Sequence, residues 1–164
     1  MQACEPVGQF VVALPRPERL FLWAIRAWSA SHTDLTTVWW SLDRAFTQEG
    51  VHAALAPFHE LMAALFAGLK RWPEIHCVAS PYLGRDEVRL LSAFTHLQDG
   101  NELGMQAALG DWVQRAAIRE MRQHAADCVT IAVLARMRFT FVQGPVPMPL
   151  AVRPREHRVT VFDD

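Results

Sequence analysis

Between residues 16 and 138 apolar side chains recur at steps of three and four, the spacing that lines one face of an α-helix. The first such segment, near 17–31, opens on Pro17 and Glu18, which suit a first turn whose amides have no helical partner. Leu20, Trp23, Ala24 and Ala27 line one face, while Phe21, Ile25 and Trp28 line another. A helix apolar on two faces belongs at the centre of a bundle. Near 34–49, Leu35, Val38, Trp39, Leu42 and Phe46 form a stripe, and Gly50 stands where the helix has to end. That stripe takes Trp39 inside and leaves Trp40 on another face, as a candidate interface anchor. Residues 51–56 are ambiguous, because Pro57 interrupts a continuous helix. From Pro57 onward Phe58, Leu61, Met62, Leu65, Leu69 and Trp72 carry the pattern until Pro73 stops it. His59 and Glu60 fall off this face and read as solvated.

Further along, His76 stands beside Cys77, just ahead of a helix start. Gly84 can cap that helix, Asp86 and Glu87 suit its positive end, and Leu83 can pack on Val88 as a staple. Cys77 is expected to pack nearby. Leu90, Leu91, Phe94 and Leu97 supply the buried face before Gly100. A fifth helix, near 102–114, carries Met105, Ala108, Leu109, Trp112 and Val113. The sixth, near 116–137, carries Ile118, Met121, Ala125, Cys128, Val129 and Ala132. Residues 131–135 are apolar all round, which places them deep in the core or in an interface. The runs 9–14, 138–142 and 157–162 are β-prone, and a stiff proline-rich connector lies between the last two. The expected organisation is one all-α bundle of five to seven helices over 16–138, flanked by extended arms at 1–15 and 139–164.

Composition narrows the functions. A formal charge of −1 gives no field that would recruit nucleic acid or an anionic membrane. Lys70 is the one lysine among 16 basic residues, and alanine is abundant, a bias expected of a GC-rich bacterial genome. Cys4, Cys77 and Cys128 form no CxxC pair and are too few for a disulfide framework. The strongest apolar run, 20–25, is far shorter than the roughly 20 residues that span a bilayer. The N-terminus lacks the pattern of a signal peptide. The expectation is a soluble cytoplasmic protein with reduced thiols.

Candidate chemistry is sparse. His76, Cys77, His124 and Cys128 contain the donors of a tetrahedral zinc site, and the spacing of four puts His124 and Cys128 on one side of a helix. Cys128 falls on the apolar stripe, however, and an adjacent His-Cys pair lacks the usual zinc spacing, so packing is favoured over metal. A thiol nucleophile at Cys77 would need an oxyanion loop, and none is visible. A di-iron bundle needs two Glu-x-x-His pairs; only Glu49 with His52 has that spacing. No phosphate loop or dinucleotide fingerprint appears, and no cofactor is expected.

Residues 105–122 resemble a helix-turn-helix, with Leu109 and Gly110 as the turn and Asp111 as the cap. Gln114, Arg115, Arg119 and Arg122 would then face DNA, although the segment is short of side chains that read base edges. By elimination the sequence points to a non-catalytic interaction or regulatory module that forms a homodimer and can take a second protein as partner. Its expected interface is Trp40, Ile131, Val133, Leu134, Val159, Val161 and Phe162. A small DNA-binding regulator is the alternative, and a metal- or thiol-dependent activity around His76 and Cys77 comes third.

Overall fold

Six α-helices follow one another in the computed structural model, which describes residues 7–31 and 35–141: α1 (Arg16–Ala30), α2 (Leu35–Gln48), α3 (Leu55–Ala67), α4 (Arg85–Gln98), α5 (Glu102–Leu109) and α6 (Arg115–Leu134). This is the all-α bundle that the periodicity predicts. As its two apolar faces require, α1 is central. The Phe21 ring meets Phe46 of α2, Phe58 of α3, Phe94 of α4 and Phe139, at centroid distances of 5.7, 6.0, 5.1 and 5.2 Å. Such tilted and edge-on pairs add to the area they bury.

Among the described residues the most extensive helix-on-helix contact is α3 against α6. At its end Gly68 crosses α6 so closely that a Cβ there would lie 2.0 Å from that of Ala117. A bare backbone is what lets the chain pass. The same crossing is pinned by main-chain bonds, Gln114 donating to the Gly68 carbonyl (2.8 Å) and Lys70 to that of Trp112 (2.9 Å).

Element boundaries differ from the expectation in ways that matter later. After a 3-10 turn at His52–Ala54, α3 begins at Leu55. Pro57 therefore sits in the first turn, where its missing N–H costs nothing, and the proline that seemed to interrupt a helix is inside one. The helix stops at Ala67, so Leu69 and Trp72 lie beyond it and Trp72 is 73% exposed instead of buried. The expected helix over 102–114 breaks at Leu109, and Trp112 and Val113 are buried in the turn that follows. α6 ends at Leu134 with Arg136 in the left-handed region (φ 60°), and Met137 donates back to the Ala132 carbonyl at 2.9 Å. That reversal returns the chain to the core.

The β-prone runs have separate fates. Residues 9–14 divide between a strand, β1 (Val7–Phe10), and a 3-10 turn, and β1 pairs antiparallel with β2 (Tyr82–Leu83). Residues 138–141 form no strand. Gln98 brackets the main chain of Phe139, accepting from its amide and donating to its carbonyl, both at 2.9 Å. The buried Glu18 accepts from the amides of Thr140 (2.5 Å) and Phe141 (3.0 Å). Two side chains thus do what a neighbouring strand would do, and Phe139 and Phe141 are buried. The run 157–162, the proline connector and Cys4 lie outside the described residues. Among those described, no helix is long and apolar enough to cross a membrane.

Candidate functional site

The chain around His76 and Cys77 is organised by the first turn of α4. Glu87, third in that helix, reaches back to the Gly84 amide (2.7 Å), as one half of a capping box does. Its oxygens also take Nε and Nη2 of Arg26 (2.7 and 2.8 Å) and the His76 amide (3.0 Å). Arg26, on α1, uses its remaining fork on the carbonyls of Ser80 (2.8 Å) and Tyr82 (2.6 Å). Both side chains are fully buried. Beside them buried Asp86 accepts twice from Arg71 (2.7 and 2.8 Å), from the Glu74 amide (2.8 Å) and from Arg89 (3.4 Å). The segment between α3 and β2 is therefore held by charge-assisted hydrogen bonds rather than by regular structure.

Burial alone would push the Asp86 carboxyl up. The hydrogen bonds from Arg71 and the Glu74 amide, with the charges of Arg71 and Arg89, outweigh it and hold the group below its ordinary value of 3.8. A carboxyl depressed on folding adds stability above the unfolded value, and that stability is lost as the pH falls through the folded value. Asp86→Asn is therefore expected to flatten the acid limb of a stability profile below about pH 4. Urea midpoints taken down to about pH 2 would read this, and an acid limb as steep as that of the parent would count against it.

In this setting His76 is tied into the turn ahead of β2. Its Nδ1 lies 3.1 Å from the Tyr82 carbonyl and 3.2 Å from Ser80 Oγ, and Nε2 lies 3.8 Å from Glu74. Serine, histidine and glutamate in this order suggest an activated nucleophile, but the hydrogen bonds oppose it. A carbonyl oxygen can only accept, so in the tautomer with its proton on Nδ1 the ring donates to Tyr82 and offers no lone pair there to Ser80. Ser80 Oγ in turn accepts from the Tyr82 amide at 3.3 Å, as a turn residue does. Leu83, Val88 and Leu91 do bury together. Cys77 does not join them. It is exposed, because the His76 amide is anchored inward on Glu87 and the next side chain turns out.

The second pair is divided by its helix. Cys128 is buried, with Sγ 3.8 Å from the Ala54 carbonyl, and burial pushes its thiol well up, so it stays protonated. His124 faces a shallow groove beside Pro57, Glu60 and Asp127. Among the described residues no group of three or more His, Cys, Asp or Glu is placed to hold a metal ion. Arg115, Arg119 and Arg122 are exposed on α6, and Gln114 is exposed just before it. Arg122 pairs with Glu102 at 2.5 Å. Asp111 does not cap α6 as expected; it takes Arg89 at 2.9 Å, and Gln114 is the residue that precedes the helix.

Of the expected interface, Leu134 is 79% exposed, Val133 is exposed and Ile131 is half-buried, while Val159, Val161 and Phe162 lie outside the described residues. Trp40 is exposed as expected, at 71%, but Trp39 is not inside: it is 41% exposed, its ring edge-on to His59 at 5.4 Å. His59 is not solvated either. Half-buried, it accepts at Nδ1 from Trp28 Nε1 (3.1 Å). Trp28 packs in turn on Phe66 (5.1 Å), and Phe66 on Trp72 (6.3 Å). These rings run across the meeting of α1, α2 and α3. Within the line lies a cavity of about 330 Å³, lined by Trp28, Val38, Trp39, Trp40, Leu42 and His59, with Thr36. The spacing Leu55, His59, Met62, Phe66 is itself a helical line. It is the signal that would have placed His59 at the edge of the buried face instead of in solvent.

The chain matches no protein-family model, no curated protein and no solved structure.

Proposed function

We propose that this protein is a non-catalytic interaction module that self-associates as a homodimer through the apolar end of α6. The observation that carries the reading is Leu134, largely exposed beside Val133 and Ile131 at the end of a helix whose earlier turns are buried on one face. A terminal helical turn that is apolar on its solvent side loses unfavourable hydration when a second copy covers it. The same patch on both copies gives an isologous, closed contact, the commonest form of assembly. The buried charges support the reading from the other side. Arg26 pairs with Glu87, Asp86 pairs with Arg71, and both carboxylates take main-chain amides, so these charges hold the fold.

Light scattering on the full chain is expected to give the dimer mass. Leu134→Glu is expected to weaken association about tenfold or more while leaving the fold unchanged by circular dichroism, because the side chain is already in solvent. A chain ending at Gly144 would show whether the C-terminal arm adds to the contact. A monomer at full length, or a dimer as tight in Leu134→Glu as in the parent, would refute this interface.

A further inference from the structure

We infer that the aromatic cavity between α1, α2 and α3 binds a small uncharged aromatic molecule that carries a hydrogen-bond acceptor. Size comes first. About 330 Å³ lies at the small end of the range for ligand sites, room for a two-ring molecule and not for a folded partner. With up to about 250 Å² on each indole, Trp39 and Trp40 leave roughly 300 Å² uncovered at their observed exposures. A stable protein interface takes about 800 Å² from each side.

The lining then selects the chemistry. Among the described residues no Lys, Arg, Asp or Glu borders the cavity, so these walls offer an ionised ligand no counter-charge for the hydration it would lose. Indole N–H groups donate and do not accept. His59 is fixed in the same sense. Its Nδ1 accepts from Trp28, so the neutral ring carries its proton on Nε2, another donor. Thr36, the remaining polar residue among the described ones that line it, has an interaction of its own. Three indoles and an imidazole offer faces and edges for stacking, and N–H groups for an acceptor. The walls are also held in advance, by the Trp28–His59 bond, the Trp28–Phe66 contact and the edge-on Trp39–His59 pair.

Coumarin is a suitable probe, being neutral, bicyclic and equipped with a carbonyl acceptor. Naphthalene has the rings without the acceptor, and benzyltrimethylammonium offers a cation to the same indoles. Saturation-transfer NMR and a calorimetric titration on the full chain are expected to show saturable coumarin binding, tighter than either comparison molecule. Trp39→Ala, at a half-exposed site, should weaken it about tenfold. Trp40→Ala, at a still more exposed one, should do so without touching the core. His59→Phe keeps a ring and removes the N–H, so coumarin should lose its advantage over naphthalene while naphthalene still binds. Leu134→Glu should bind coumarin as the parent does, which separates this site from the dimer contact. Absence of saturable coumarin binding, indifference to both tryptophan changes, or equal or tighter binding of the cation would each overturn the inference.

Discussion

Glu87→Ala is expected to destabilise the protein by about 3–5 kcal/mol, the cost of breaking a buried ion pair by removing one partner. The reason lies in what is left behind. Arg26 would remain fully buried without its carboxylate, and the amides of His76 and Gly84 would lose their acceptor. At about 2–4 °C per kcal/mol for a chain of this size, the melting temperature should fall by roughly 6–20 °C. A buried pair can often be replaced by apolar residues at little cost, yet that rescue should fail here. The double change Arg26→Met with Glu87→Leu would also take the guanidinium from the carbonyls of Ser80 and Tyr82, leaving the second with only its longer contacts to His76 Nδ1 (3.1 Å) and Ser80 Oγ (3.3 Å). Urea titration of both single variants and the double tests this directly. A double variant as stable as the parent would show that the pair is a dispensable core element and not the support of the 74–84 segment.

The helices were legible because each buries one stripe, and a stripe is written at a fixed period. Phe21, Leu42, Phe46, Phe58, Leu65, Leu91 and Cys128 are all buried where the period places them. What the period does not carry is long-range partnership. Glu87 reads locally as a helix-start residue, and it is one, but nothing in its neighbourhood announces Arg26, 61 residues earlier, as its main partner. Cys77 follows from the same gap: without Glu87 as anchor for the His76 amide, the direction of the next side chain has no visible cause. The aromatic cavity was hidden for another reason. A two-class reading sorts His59 as polar and therefore outside, whereas a neutral imidazole between two indoles is an amphipathic wall that accepts on one side and offers an edge on the other.

The same limit explains the strongest effect expected at the C-terminal side. Read by propensity, residues 138–142 are a strand in need of a neighbour, and the bundle ends before them. The neighbour is supplied by two side chains distant in sequence, Gln98 at the end of α4 and Glu18 at the start of α1, and so no pattern within the run reveals it. Phe139 consequently belongs to the core: 1% exposed, stacked on Phe94 at 5.3 Å and edge-on to Phe21 at 5.2 Å. Phe139→Ala would empty a site walled by α1 and α4, and it is expected to cost about 3–5 kcal/mol. Thr140→Ala, one residue on and exposed, keeps the main-chain amide that Glu18 binds, so it should cost less than about 1 kcal/mol. Paired urea melts would separate the two. Were Phe139→Ala as mild as Thr140→Ala, the segment would be an arm resting on the bundle, and α1 would have to close its own core without it.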